Sequence, residues 1–316
     1  MIDRPLRSSH RLAPIGAVIV AIGLFATMDA LMKRAAIATG VYPALLARSL
    51  IGAAVLWPVW RWREARARGD APRWPVTGVL RIHALRGVMV AGMAGTYFWG
   101  LVRTPLAEAI AISFIAPLVA LFLAAAVLGE RLRREAVVGS VVALAGVAAL
   151  AASRVRAAAG SEDAVWGIAA ILCSALLYAA NLVLQRRQAQ LAGPLEIAAM
   201  QNAFVALVLL AGVPAGLALG MDLPALTVPR AEALSDIAWA ALLASVSLML
   251  LAWAYARAET QVLVPIEYTA FPWSALTGWL WFAEPVTPGT LGGLVLILLG
   301  VWIGARGAPG PQLPPA

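Results

Sequence analysis

Apolar stretches of roughly 16 to 24 residues follow one another along almost the whole chain, separated by short segments that hold most of its charge. A helix needs about 20 such residues to cross a hydrocarbon core about 30 Å thick, and no length is left for a separate soluble domain. Ten stretches can be delimited: Ala13–Leu31, Tyr42–Trp60, Gly87–Val102, Leu106–Leu128, Ala136–Ala152, Ala164–Leu184, Leu195–Leu217, Ile237–Tyr255, Gln261–Ala283 and Gly289–Ile303. The third, fifth and tenth are short for a full span, which predicts local bilayer thinning or little tilt. Composition agrees, since 62% hydrophobic residues, 13% charged residues and a mean hydropathy of +0.85 lie far from soluble domains. Strands of a membrane barrel would alternate in polarity, and these stretches do not. The expected fold is an all-α membrane protein with ten transmembrane helices.

Cations set the orientation, because cytoplasmic loops hold the excess of Lys and Arg. With the N-terminus inside, 17 cations fall on the inner side, 6 on the outer, and Arg48 is left within a span. The inner set is densest from Arg61 to Arg86; the outer set is Lys33, Arg34, Arg103, Arg154, Arg156 and Arg230. Both termini are therefore expected in the cytoplasm, and the net charge of +8 needs no nucleic acid to explain it. Trp57, Trp60 and Trp62 cluster at one expected interface, and Trp279 and Trp281 at the other, where amphipathic rings prefer to sit. The first span lacks a small-residue cleavage site and reads as a retained anchor. Cys173, which lies within a span, is the single cysteine of the sequence, so no disulfide is available within it. Residues 305–316, rich in Pro and Gly, read as a disordered cytoplasmic tail.

An internal repeat constrains the chain further. "LGERLRREAVVGSVVALAGV" aligns with "FAEPVTPGTLGGLVLILLGV", so that Glu130 meets Glu284, Gly139 meets Gly293 and Gly146 meets Gly300, all at an offset of 154. Arg103 and Arg257 share that offset, while "DALMKR" from Asp29 and "NLVLQR" from Asn181 match at 152. Each half, 13–152 and 164–304, then holds five spans. Five is odd, so the second half enters the membrane from the opposite side, giving an inverted repeat. Inverted repeats in secondary transporters place a substrate site near the midplane and permit alternating access.

The segments "RTPLAEAIAISFIAPLVALFLAAAVLGERL" and "PIEYTAFPWSALTGWLWFAEP", with the trailing "GGLVLILLGV", resemble the EamA family of the drug/metabolite transporter superfamily. The resemblance runs from Ala13 to Gly304. It implies a bacterial inner-membrane carrier, commonly an exporter of amino acids or other small metabolites. "AEP" at Ala283–Pro285 departs from the Gly-Glu pair at Gly129 and Glu130, a difference that bears on a helix end and not on substrate choice.

Ionisable groups at bilayer depth cost roughly 2.5–3.5 kcal/mol on insertion scales and normally face a bundle interior or a wet cavity. Glu267 is the sharpest candidate, standing two residues after Pro265, whose ring removes a backbone hydrogen bond; its repeat partner is Ser113, four residues before Pro117. A carboxyl there can load and release a proton as a cavity opens to each side in turn. A permanently protonated or arginine-paired packing element near the inner interface is the bland alternative. Asp29 and Arg48 reach similar depths in the outer half, so Arg48 can neutralise Asp29 or Glu108, yet Asp29 can equally pair with Lys33 one turn on. Arg48 can also snorkel outward or anchor an anionic group. Glu108 opens the fourth span, where a carboxylate serves the positive helix end. Asn181, Gln201 and Asn202 form an expected inner layer, with helix-to-helix hydrogen bonding as the simpler role. Tyr97, Trp99, Trp253 and Tyr268 are aromatic candidates for a substrate wall, against the plain reading of interface anchors. The four repeat glycines read as close-packing positions.

An intramembrane enzyme is disfavoured: His10 and His83 fall in expected cytoplasmic segments, and neither H-E-x-x-H nor G-x-S-x-G occurs. No motif calls for a metal or cofactor. A channel lacks a filter-like loop or a ring of like charges. The expected partners are a small-molecule substrate, membrane lipid and protons as coupling ion. Metabolite exchange without proton coupling is the competing form of transport.

Overall fold

A computed structural model describes residues 9–68, 74–116, 118–120, 122–123, 134–157, 161–189, 191–218, 230–255, 257 and 266–306. Regular structure among the described residues is helical: α1 (Ser9–Thr39), α2 (Val41–Arg68), α3 (Thr77–Leu101), α4 (Leu106–Ser113), α5 (Arg134–Ala157), α6 (Glu162–Ala189), α7 (Pro194–Ala218), α8 (Ala231–Tyr255), α9 (Ala270–Phe282) and α10 (Pro288–Arg306). Among the described residues, six helices are long and apolar enough to cross a membrane, and Pro288–Ile303 is a shorter apolar helix. The expected tail falls almost wholly outside the described residues, as do Glu130, Pro117 and Pro265.

Several helices outrun their apolar stretches. α3 has 25 residues and α5 has 24, so both helices run past their apolar stretches, although of the two only α5 is among the six long and apolar enough to cross. Hydropathy cut the third at His83 and Arg86, but a backbone continues through polar residues when their side chains are satisfied. His83 is therefore not in a loop; it lies within α3, 1% exposed. α1 likewise runs on to Thr39 and takes in Lys33 and Arg34, which were expected outside the membrane. Arg34 reaches Asp236 of α8 through both Nε, at 2.6 Å, and Nη2, while buried Lys33 holds Nζ 5.0 Å from the centre of the Phe282 ring. Gly40 then reverses the chain at φ 90°, a backbone conformation open to glycine at little cost, and α2 begins at once.

The chain divides into two compact units, Met1–Ala91 with Gln185–Ala283 and Gly92–Leu184 with Glu284–Ala316. Each draws helices from both sequence repeats. In the first, α1 packs on α8: Arg34 meets Asp236 at one end, and Val18 and Ile22 meet Ala254 at the other, so the two run antiparallel. α2 packs on α7, with the Tyr42 hydroxyl donating to the Leu209 carbonyl, Gly52 facing Asn202, and Leu56 and Trp60 clustering with Ala198, Ala199 and Met200. Descending numbers against ascending ones make this pair antiparallel too.

In the second unit α5 packs on α10 with almost no side chain between them. A Cβ on Gly146 would lie 2.7 Å from the Ile297 nitrogen and 2.8 Å from the Gly293 carbonyl, and one on Gly293 would lie 3.0 Å from the Gly146 carbonyl. At the next turns, Gly300 is pressed on Gly139 and Ala143, and Gly289 on Ser153. This pair is antiparallel as well, with its backbones in direct contact as small residues permit. Gly100 of α3 similarly abuts Gly167 and Ile171 of α6, and Ser174 Oγ donates to the Met93 carbonyl at 2.8 Å.

Candidate functional site

Among the described residues, the helical stretch that starts at Leu106 and the one that ends at Glu267 both break, and they break at the same repeat position. α4 ends at Ser113; Phe114 and Ile115 form a turn in which the Ile115 amide bonds to the Ile112 carbonyl. In the second repeat Ile266 and Glu267 are helical, Tyr268 and Thr269 turn, and α9 starts at Ala270. Phe114 and Ile115 become Tyr268 and Thr269 at the offset of 154. Sequence chemistry accounts for both breaks: Pro117 has no N–H for the Ser113 carbonyl, and Pro272 has none for that of Tyr268. The Tyr268 carbonyl is instead taken by the Phe271 amide at 3.2 Å. Pro265, invoked from sequence for a bend before Glu267, lies outside the described residues; Pro272 was not considered there.

Glu267 and Ser113 are thus equivalent, each closing a helical stretch before a break. Ser113 bonds back to the Ala109 carbonyl at 2.8 Å. Glu267 is half-buried and acts electrostatically on the adjoining Tyr268 hydroxyl. Its neighbours Ile266 and Ala270 pack on Val18, Ile22 and Ala254, which fixes its level along α1. Farther on, the Trp273 ring rests 3.2 Å from the Cβ position of Gly23.

Asp29 and Arg48 stand higher on that ladder, about 10 Å along α1 from Ile22 at 1.5 Å per residue. Asp29 is 7% exposed and acts electrostatically on Arg48, whose Nη1 lies 3.7 Å from the Met28 sulfur. Asn202 is the counterpart of Arg48 at the offset of 154, and it faces Gly52, one turn along α2 from Arg48. These two therefore lie a turn apart where α2 crosses α7, and not in separate outer and inner layers. The Asn202 amide is held by the Ala198 carbonyl at 2.9 Å. Next to it, Gln201 Oε1 is buried with no hydrogen-bond partner among the described residues, and so is Ser274 Oγ of α9. Buried polar atoms of this kind normally mark a water or ligand position. Ser274 was missed from sequence, where a serine among apolar residues carries little signal.

The remaining candidates lie in the second unit or at helix ends. Trp99 and Trp253, equivalent at the offset of 154, each carry a guanidinium on the ring face: Arg103 at 3.6 Å and Arg257 at 4.5 Å from the centroid. Each arginine also donates to the carbonyl of its own tryptophan, at 3.0 and 3.1 Å. Both rings are 38% exposed. Tyr97 stacks edge-on against Phe98, and Asn181 is buried in α6. Glu108 accepts from Thr290 Oγ1 at 3.0 Å and lies 3.5 Å from Arg154 Nε, partners within its own unit. The first amide of α4, that of Leu106, is capped by Glu284 at 2.8 Å, so the "AEP" segment does serve a helix end.

A second polar chain lies in the first unit: Arg86 Nη1 donates to Gln188 Oε1, Gln188 Nε2 faces His83 Nδ1, and His83 Nε2 lies 3.2 Å from Glu196 Oε1. Arg86 fixes the amide orientation, so Gln188 donates to Nδ1 and the imidazole proton sits on Nε2 toward Glu196. Among the described residues no group of three or more His, Cys, Asp or Glu is placed to hold a metal ion.

Residues 12–152 and 165–305 each match the EamA-like transporter family. A crystal structure of a protein with 23% sequence identity superposes with a TM-score of 0.58, over 95% of this chain and 98% of that one, a likeness of fold. No curated protein matches the chain.

Proposed function

Because the chain belongs to the EamA-like transporter family, and is thus a multi-pass membrane transporter, we propose that it exports small metabolites such as amino acids by alternating access. It does so across a bacterial inner membrane, with both termini in the cytoplasm. Ten crossings are arranged as two inverted five-helix repeats. The antiparallel courses of α2 against α7 and of α5 against α10 support inversion, since these are corresponding helices of the two repeats. Repeats inserted the same way would run them parallel.

The observation that carries the reading is the pair of helix breaks at one repeat position, with Glu267 beside the second. Interrupted helices expose backbone groups that only a protein-lined or wet cavity tolerates at bilayer depth. Glu267 is the proton-coupling carboxylate. Arg48, with Asp29, Gln201 and Asn202 close by on α1, α2 and α7, contacts the substrate.

The test is counterflow of amino acids and related metabolites in reconstituted vesicles, with Glu267→Gln beside the unaltered protein at several pH values. Loss of the pH response, with folded protein retained, is expected. Unchanged rate and unchanged pH response would remove Glu267 from the mechanism.

A further inference from the structure

The polar groups around the α2–α7 crossing are bracketed by two clasps, both within the first unit. One lies near the C-terminal end of α1. There the Arg34 fork holds Asp236, in the second turn of α8, through Nε at 2.6 Å and through Nη2. One residue back, Lys33 lays its ammonium 5.0 Å from the centre of the Phe282 ring at the end of α9. Three helices are thus tied together five residues beyond Asp29, about 8 Å along α1.

The other clasp lies near the C-terminal end of α6, the counterpart of α1 in the second repeat. Arg86 Nη1 donates to Gln188 Oε1 at 2.5 Å, Gln188 Nε2 donates to His83 Nδ1, and His83 faces Glu196 in the first turn of α7. His83 and Arg86 belong to α3, the counterpart of α8: Thr77–Leu101 and Ala231–Tyr255 match end for end at the offset of 154. From Glu196 to Gln201 is again five residues, about 8 Å along α7. Each repeat therefore has its first helix clasped, at the C-terminal end, to the third helix of the other repeat. The two clasps fall at opposite ends of α2, since α1 ends beside Val41 and Glu196 precedes Ala198, which packs on Leu56 and Trp60.

The clasps differ from the packing beyond them. At its other end α1 meets α8 through Val18, Ile22 and Ala254, apolar contacts that water does not replace. A salt bridge or an amide hydrogen bond near water is exchanged for hydration at little net cost, so an end held in this way can open and reclose. Each clasp has a member in reach of water: the Arg34 side chain is 51% exposed and that of Glu196 21%.

We propose that these clasps are the two gates of the transport cycle, Arg34–Asp236 the outer one and Arg86–Gln188–His83–Glu196 the inner one, released in turn. The inference rests on the alternating-access reading and adds to it the residues that close each side. Release of Arg34 from Asp236 frees the end of α1 from α8 and opens a way to Asp29 from outside, while the inner chain keeps Gln201 from the cytoplasm. Release of the inner chain does the converse.

The test is labelling of a reporter cysteine by a membrane-impermeant thiol reagent, in intact cells and in inverted membrane vesicles. The reporter is Ser274→Cys, at a fully buried position of α9, in a background where Cys173→Ser removes the exposed native thiol. Asp236→Asn is expected to raise labelling about fivefold from outside and to lower it from the cytoplasmic side, because weakening one gate shifts the population toward the state that opens there. Gln188→Ala is expected to do the reverse, and the exchanged pair Arg34→Asp/Asp236→Arg to return both rates toward their starting values. Each variant must elute as a single folded species; where Gln188→Ala does not, the two sides of Asp236→Asn carry the sign. General loosening would raise labelling from both sides, and that result, or no change on either side, overturns the gates. Labelling needs no substrate, so gates that respond while amino-acid counterflow fails would reject the substrate proposed above and keep this inference.

Discussion

α2 crossing α7 and α5 crossing α10 stand in the same relation to the sequence: each joins corresponding helices of the two repeats, antiparallel. Their chemistry is opposite. At α5–α10 the glycines bring backbone onto backbone, with Gly146 against Gly293 and Gly300 against Gly139, and charge stands at one end, where Glu108 of α4 lies between Thr290 and Arg154. At α2–α7 the chain keeps Arg48, Gln201 and Asn202, with Tyr42 bonded to the Leu209 carbonyl and a buried amide oxygen left over. A symmetric fold offers two self-crossings; glycine closes the middle of the α5–α10 crossing, while the α2–α7 crossing keeps Arg48 and its neighbouring amides. The glycine crossing is a close-packed seam; the polar one is where differential contact with a substrate can arise.

Gly300→Leu tests the seam most severely. A side chain there would occupy the positions of the Ala143 nitrogen and the Gly139 carbonyl, so α5 and α10 must separate. Overpacking of a well-filled interior typically costs about 1–3 kcal/mol and occasionally more. The expected outcome is loss of the monodisperse folded species in size-exclusion chromatography; a folded variant with normal unfolding temperature would show that the seam is loose.

Arg48→Lys probes the other crossing while keeping a positive charge beside Asp29. The planar fork of donors is lost, and at a ligand-contacting site that exchange is not conservative. Counterflow is expected to fall about tenfold, equivalent to about 1.4 kcal/mol, with the unfolding midpoint shifted by no more than a few degrees. A variant that transports normally would make Arg48 a structural cation and erase the functional side of the comparison.

Ala283→Gly lies outside both crossings and sharpens the contrast as a control. Ala283 ends α9 at φ 53°, where an L-residue pays about 1–2 kcal/mol that glycine avoids. The variant is expected to gain about 1 kcal/mol in stability, read from thermal unfolding, with unchanged counterflow. A stability gain coupled to altered transport would mean that the end of α9 moves during the cycle.

Glu267, Asp29 and Arg48 were legible in the sequence because charge within an apolar run is conspicuous, and Asn202 because the repeat aligns it with Arg48. The aromatic candidates were conspicuous for the same reason, but Trp99 and Trp253 turn out to carry Arg103 and Arg257 on their faces, a partnership already encoded four residues apart. Lys33, Arg34 and His83 were misplaced into loops. Hydropathy stops at a polar residue, whereas a helix continues when a distant group such as Asp236 or the Gln188 amide satisfies it.

The sequence by itself determined the membrane-spanning class, the twofold repetition and the short roster of charged groups at bilayer depth. These follow from apolar run length and residue identity, which are local quantities. Tertiary structure alone decided which partners satisfy those charges and which of the two self-crossings is closed by glycine. Those outcomes depend on atoms brought together from residues far apart in the chain, where spacing along the sequence carries no information about distance.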